Sequence, residues 1–149
     1  MQKERSIMKI CVIDGQGGGI GATIIKKIKE QYSENIEIIA LGTNAIATAQ
    51  MLKARANRGA SGENAIVQTV ARADVIIGTI AIVLAHAMMG EMTPMMTEAI
   101  AKSPATKIII PISQENVHIV GAPAIPLPRL VELLINDYLS QIYQHNQVS

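Results

Sequence analysis

Apolar residues along this chain follow two alternating patterns. Short unbroken runs of Ile, Val and Leu are typical of strands covered on both faces, and apolar residues recurring every three or four positions are typical of amphipathic helices. Unbroken runs predict four strands, at 8–14, 36–41, 74–78 and 107–112, and the helical pattern covers 21–31, 44–56, 65–71, 94–102 and 128–143.

Three other segments complete the predicted organisation. Residues 57–64 are interpreted as a loop, 81–89 as either a strand extension or a helix, and 117–121 as a short fifth strand or hairpin arm. Strands alternating with helices favour a parallel sheet with helices on both faces. We therefore predict an α/β fold: one Rossmann-like domain over 1–149, a three-layer sandwich with a mostly parallel sheet of four to five strands. Its core covers about 8–139, with short polar tails at both ends.

A glycine-rich loop separates the first strand from the first helix. It holds five glycines in seven residues: Gly15, Gln16, Gly17, Gly18, Gly19, Ile20 and Gly21. Glycine permits positive φ and lets another group approach the backbone, and the amides of a helix's first turn attract anions. We interpret all seven residues as a phosphate or pyrophosphate cradle. The alternative is a tight strand-to-helix turn that binds nothing.

Ligands of parallel sheets bind beyond the carboxyl ends of the strands. The segments that follow strands are 15–21, 42–44, 78–81 and 113–116, so Thr43, Asn44 and Gly78 join the candidate cofactor-binding residues. No acid closes the second strand to hold an adenosine ribose, which disfavours NAD. NADP, a mononucleotide or another phosphorylated metabolite stays open, with Arg55 or Arg58 as a source of positive charge.

Candidate catalytic groups are few. Asp14 either holds the loop by accepting hydrogen bonds from backbone amides, which is favoured, or lies near the ligand. Glu63, Asn64 and Thr93 are either site residues or parts of helix starts, and for Thr93, followed by Pro94, capping is favoured. Glu91 has no capping role and is the candidate carboxylate of the site.

The sequence contains no Tyr-x-x-x-Lys pair, no Gly-x-Ser-x-Gly elbow and no Walker sequence. The residues thus predict binding and leave catalysis open.

Composition narrows the class of protein. Hydrophobic residues make up 49% of the 149, but aromatic residues only 2%, so the core is expected to be aliphatic. The net charge is +1, and acidic and basic residues are interspersed, so the sequence has no charged region typical of binding to nucleic acid or a membrane surface. No apolar run reaches the roughly 18 residues of a membrane span. Cys11 lies inside the first apolar run and is interpreted as a buried thiol in a reducing, cytoplasmic setting.

A methionine-rich segment has two interpretations. His86 and the neighbouring methionines could bind a soft metal, or the methionines could fill a core or a subunit interface that lacks Phe and Trp. The second interpretation is favoured, and no Cys and His spacing matches a zinc site. We therefore expect no metal and a homo-oligomer with a contact within 81–100.

Several blocks together resemble a small family from anaerobic Gram-positive bacteria described only as a domain of unknown function. The blocks are Val12–Gly21, Ala40–Asn44, Gly62–Val67, Asp74–Gly78 and Gly90–Pro94. In addition, the Gly-x-x-x-Gly-Ile-Gly spacing from Gly15 to Gly21 resembles the cofactor loop of short-chain dehydrogenases, which implies Rossmann-like nucleotide binding with NAD(P) among the ligands.

The predicted function is therefore binding of a nucleotide, NAD(P)-like, or of another phosphorylated small molecule. One alternative is a small-molecule enzyme whose site is completed between subunits by Glu91, Asn44 or Asn64. Another is a non-catalytic structural or interaction subunit.

Overall fold

Five strands form one all-parallel sheet in the computed structural model, which describes residues 7–112, 116–122 and 124–148. In chain order they are β1 (Met8–Asp14), β2 (Ile36–Gly42), β3 (Arg58–Ser61), β4 (Val75–Thr79) and β5 (Thr106–Ile110). Their spatial order is β3-β2-β1-β4-β5. The strand order reverses between β1 and β4, and parallel sheets of this kind bind ligands at such a switch point.

Helices cover both faces of the sheet. They are α1 (Gly19–Tyr32), α2 (Ala45–Lys53), α3 (Glu63–Val70), α4 (Pro94–Lys102), and a C-terminal helix that runs from α5 (Leu127–Leu133) through a π-helical segment (Leu134–Leu139) into α6 (Ser140–Val148). Short 3₁₀ turns lie at Ser33–Asn35 and Ile80–Val83. One face carries α1, α2 and the C-terminal helix, and the other carries α3 and α4.

Alternate residues of the strands supply the two cores. Ile10 and Val12 point to the face of α1, whereas Cys11 and Ile13 point to the face of α3 and α4. This alternation is the period of two that a strand imposes on its side chains. The first core also contains a pair of tyrosine rings, from Tyr32 and Tyr143, whose centroids lie 4.8 Å apart with a 56° tilt. Aliphatic side chains fill most of both cores, as the composition predicts.

The predicted α/β fold with a parallel sheet is confirmed. The first strand has the predicted bounds, and β2 is parallel to β1 with Met8 opposite Ile36. Asn44 caps α2 by accepting a hydrogen bond from the Ala47 amide at 2.8 Å. The first helix begins at Gly19, two residues before the predicted start, because Gly18 in the left-handed region ends the loop there.

The segment 57–64, predicted as a loop, contains strand β3 instead. Its residues carry no apolar run, but they pair with β2, with Gly59 opposite Ala40. Glycine fits there because an added Cβ at Gly59 would lie 2.9 Å from Thr48 Cγ2. The close packing of α2 on this edge strand therefore substitutes for a hydrophobic pattern.

Three further predictions at loops and ends are corrected. Residues 81–89 are neither a strand nor a helix, since a 3₁₀ turn ends at Val83 and irregular turns follow. Residues 117–121 form no strand beyond an isolated bridge at Val117, and Val120 is 99% exposed rather than packed on the sheet. The last helix does not end near 143, because helical hydrogen bonding continues to Val148 through residues that bury no side chain.

Candidate functional site

The glycine loop is tied at both ends to the last residue of β1. The Asp14 carboxylate accepts hydrogen bonds from the amides of Gly15 and Gly21, each at 2.7 Å. Burial raises the pKa of the Asp14 carboxyl, and the bonds from Gly21 and Gly15 lower it in part. Asp14 is therefore a structural clamp that fixes the span of the loop, which confirms its predicted role.

Two glycines of the loop are required by packing and backbone conformation. Gly18 has a φ of 74°, and a Cβ there would lie 2.5 Å from the Ala47 carbonyl oxygen. At Gly21 a Cβ would lie 2.5 Å from Met51 Sδ. Both positions hold α1 close to α2, so their glycines are explained without a ligand.

Gly17 and Gly19 are different, because neither has a positive φ and an added Cβ at either would meet nothing within 4 Å. Within the described ranges, the amides of Gln16, Gly17, Gly19 and Ile20 have no hydrogen-bond acceptor. The first turn of α1 has no side-chain cap and no acidic residue. This part of the loop thus presents free donors at the positive end of a helix dipole.

A cleft of about 660 Å³ opens beside the loop, at the switch point between β1 and β4. Asp14, Gly15, Gln16 and Ile20 line it at the end of β1 and the start of α1, and Thr79 and Ala81 line it at the end of β4 and just after. Residues 84–89 and 116–117 complete the wall. The volume lies within the range of about 300–1,000 Å³ that is usual for small-molecule sites.

Residues 84–92, here called the covering segment, form one wall of this cleft. Three of them, His86, Met88 and Met89, have φ values of 72°, 58° and 56°, and Gly90 follows at 87°. Non-glycine residues rarely adopt this left-handed conformation without support from their surroundings. The support includes a hydrogen bond of 2.6 Å from the His86 amide to the Met92 carbonyl, and the side chain of Met92 is fully buried.

The covering segment also reaches over the glycine loop to the end of β2. Met88 Sδ packs against Gly15 so closely that a Cβ on that glycine would collide with it. Glu91 Oε1 accepts hydrogen bonds from Thr43 Oγ1 at 2.8 Å and from Asn44 Nδ2 at 2.9 Å. The bonds from Asn44 and Thr43 lower the pKa of the exposed Glu91 carboxyl. The Glu91 carboxylate thus lies at the end of β2, although the residues that follow β2 in the sequence include no acid.

Most of the predicted site residues converge on this edge of the sheet. Residues 15–21 form the loop, and Thr43 and Asn44 are joined to it through a hydrogen bond of 3.2 Å from Asn44 Nδ2 to the Gln16 carbonyl. Glu91, the candidate carboxylate, is bound to both of them. Thr79 lines the cleft next to Gly78, which is itself buried against Ile82 in the sheet.

Other candidates lie elsewhere. Thr93 caps α4, accepting a hydrogen bond from the Met96 amide at 3.2 Å. Glu63 and Asn64 begin α3 and do not line the cleft, and Gly62 rather than a side chain caps that helix.

The two arginines considered for a phosphate are also remote from the cleft. Arg58 pairs with Glu37 at 2.6 Å, and in the sheet it lies opposite Ile39, three residues before the carboxyl end of β2. Arg55 follows the last turn of α2, whereas the first turn of that helix faces the glycine loop. The described residues that line the cleft include neither Lys nor Arg.

The sequence did not predict that 84–89 would line the cleft. The segment was an apolar run compatible with either a strand extension or a helix, and neither interpretation placed it at the site. Met92 and Met96 are buried in the core, and Met89 and Met95 are exposed by 96% and 58%. Among the described residues there is no group of three or more His, Cys, Asp or Glu side chains able to hold a metal. Of the predicted segment 113–116, residues 113–115 lie outside the described residues.

Two further observations concern chemistry and setting. Cys11 is fully buried in β1, and burial raises the pKa of its thiol to about 12. In the part of the chain that the structure describes, none of the helices has the length and hydrophobicity of a transmembrane span.

Comparison with known proteins places the chain in one family of known sequence pattern. The family model described as "Domain of unknown function (DUF3842)" matches residues 9–143. No curated protein matches the chain. Among solved structures, a universal stress protein in complex with cAMP is similar, with 16% identity, a TM-score of 0.41, and coverage of 71% of this chain and 98% of that one. A likeness of this degree carries no argument about function.

Proposed function

We propose that this chain, which belongs to the DUF3842 family, binds a nucleotide or another phosphorylated small molecule at the glycine loop. The phosphate lies over Gly17 and Gly19 and accepts hydrogen bonds from the free amides of Gly17, Gly19 and Ile20. The dipole of α1 favours the negative charge there.

The observation that carries this proposal is the division among the glycines. A tight turn that binds nothing accounts for Gly18 and Gly21, whose positions are filled by neighbouring atoms. It does not account for Gly17 and Gly19, which face open space and carry amides without acceptors. Glycine at these two positions is what a closely approaching phosphate requires.

The cleft beside the loop takes the rest of the ligand in this proposal. Gln16, Thr79 and Asn116 offer polar groups along a wall that also contains Ile20, and apolar residues of the covering segment complete it. Since none of the described lining residues is Lys or Arg, backbone amides supply the phosphate contacts. NAD(P) enters only through the resemblance of the loop to that of short-chain dehydrogenases, and its binding stays a prediction.

Ligand screening with a charge-matched pair of variants tests the proposal. Stabilisation of the wild-type protein is measured by thermal shift against NAD, NADP, their reduced forms, ATP, AMP, coenzyme A and sugar phosphates. Gly19→Asp places a carboxylate in the cradle and is expected to abolish ligand stabilisation, whereas Gly19→Asn has similar size without the charge and is expected to retain part of it. Stabilisation must also grow with ligand concentration.

Both variants are expected to fold, because an added Cβ at Gly19 would meet no atom within 4 Å. An acidic residue in the first turn of α1 should also stabilise the free protein slightly. Stabilisation by none of the compounds, or equal stabilisation of both variants and the wild type, would show that the loop is not a phosphate site.

The predicted homo-oligomer and cytoplasmic setting also remain proposals. Met89 and Met95, both exposed within the segment 81–100, are the side chains that a subunit contact would cover. Sedimentation of the wild type beside Met89→Lys and Met95→Lys variants tests this, with a loss of association expected if the segment forms the contact.

A further inference from the structure

The polar groups that follow β2 are already occupied by other parts of the chain. Asn44 Nδ2 carries two hydrogens, and it donates to the Gln16 carbonyl at 3.2 Å and to Glu91 Oε1 at 2.9 Å. The single hydroxyl hydrogen of Thr43 goes to Glu91 at 2.8 Å. The donor hydrogens of both side chains are therefore engaged within the chain.

The space at the end of β2 is filled as well. Thr43 Oγ1 lies 2.6 Å from the place of a Cβ on Gly15, and Met88 Sδ packs on that same glycine. The Thr43 amide is bonded to the Asp14 carbonyl at 2.9 Å. Hence the covering segment and the β2 end meet directly over the start of the glycine loop.

The cleft accordingly lies on one side of β1. Its described lining residues are Asp14 and residues of the glycine loop, Thr79 at the end of β4 and Ala81 after it, and residues of the covering segment and of 116–117; none comes from residues 42–62. A dinucleotide in a sheet of this strand order extends to both sides of β1, and its adenosine ribose is held at the end of β2. Here only the β4 side is open.

Building on the proposed function, we infer that the ligand carries a single phosphorylated sugar, as a mononucleotide does, and that the covering segment excludes dinucleotides. Its phosphate lies on the loop amides, and its sugar and base extend into the cleft toward Thr79. Glu91 closes the β2 side by bonding Thr43 and Asn44, so it is a specificity-determining residue.

Titration calorimetry with single nucleotides and a dinucleotide tests this inference. Wild-type protein is titrated with AMP, GMP, UMP, nicotinamide mononucleotide and ribose 5-phosphate, and separately with NAD. At least one of the five small compounds is expected to bind, and NAD is expected to bind at least about tenfold more weakly than the tightest of them.

Three variants show whether Glu91 causes the discrimination. Glu91→Ala removes the acceptor for Thr43 and Asn44 and is expected to reduce the preference against NAD at least about threefold. Glu91→Gln keeps an oxygen acceptor and should retain the preference, as should Glu98→Ala, an exposed change on α4 away from the cleft.

The outcomes separate the inference from the proposed function. NAD binding to the wild type as tightly as the best single nucleotide overturns the inference and leaves the phosphate site standing. An unchanged preference in a folded Glu91→Ala protein overturns the role of Glu91. Binding of none of these compounds refutes the inference, and the proposed function is refuted as well only if the wider thermal-shift screen also finds no ligand.

Discussion

The carboxylate of Asp14 and the amide of Gly21 lie 2.7 Å apart, and this bond joins the last residue of β1 to the first turn of α1. A second bond, from the Gly15 amide, makes the same carboxylate hold both ends of the loop. The loop is therefore preorganised by a buried carboxyl group at the end of β1, which also lines the cleft.

Replacing Asp14 by Asn should destabilise the protein. One side-chain acceptor would be lost and an NH₂ group would face a backbone amide, which costs about 1–3 kcal/mol of unfolding free energy. Urea denaturation of wild type and variant at neutral pH measures this loss. A difference well under 1 kcal/mol would show that the two amides find other acceptors.

The Asp14 difference should also depend on pH. Burial raises the pKa of this carboxyl in the folded protein, so at mildly acid pH the folded state binds a proton that the unfolded chain has released. The stability owed to this proton is fully present below the unfolded pKa and is lost as pH rises through the folded pKa. The gap between wild type and Asp14→Asn is thus expected to narrow from acid to neutral pH, and a gap that widens would contradict the direction of the shift.

Alanine should destabilise the protein at Gly18 and have little effect at Gly17. Gly18 has a φ of 74° and faces the Ala47 backbone, so Gly18→Ala is expected to cost about 1–3 kcal/mol or more. Gly17 faces open space, and Gly17→Ala should change the unfolding free energy by roughly 0.5 kcal/mol or less. Thermal denaturation of the two proteins side by side measures the contrast; equal losses would mean that both glycines are structural.

Thr93 should matter for stability and not for ligand binding. Its hydroxyl caps α4 through the Met96 amide, so Thr93→Ala is expected to cost about 1 kcal/mol, whereas Thr93→Ser keeps the cap. Chemical denaturation gives the cost, and the ligand screen is repeated on both variants. Loss of binding in a folded Thr93→Ala protein would place this residue in the site after all.

Cys11 should be inert in the folded protein. Its side chain is fully buried and its thiol pKa is raised to about 12, whereas the thiolate is the form that reacts. A colourimetric thiol reagent at pH 8 is expected to label it only after denaturant is added. Rapid labelling of the native protein would indicate that β1 opens readily.

The sheet was predictable because its central strands are unbroken apolar runs, and such runs fix strand positions on their own. The edge strand β3 was not, since Arg58-Gly59-Ala60-Ser61 has no apolar pattern and is held by pairing with β2 and by α2. Local sequence cannot report an element whose stability comes from its neighbours. Segment 81–89 was predicted wrongly for another reason: its left-handed residues are held by irregular backbone hydrogen bonds within 84–92, which leave no periodic pattern in the sequence.

The site was predictable in part. Residues that follow β1 and β2 in the chain also meet in space, because parallel strands bring their carboxyl ends to one edge of the sheet. The position of Glu91 could not be predicted, because residue spacing does not determine the path of a long irregular segment. Its arrival beside Thr43, 48 residues away in sequence, reverses the expectation that no acid stands at the end of β2.

The paired rings of Tyr32 and Tyr143 give the molecule an optical probe of its own. The chain has three tyrosines and neither tryptophan nor phenylalanine, so its near-ultraviolet absorption and its fluorescence arise from tyrosine. Two of the three chromophores meet where the C-terminal helix docks on α1, while Tyr138 is 60% exposed to solvent. Near-ultraviolet circular dichroism will therefore register detachment of that helix, and it will do so without any label.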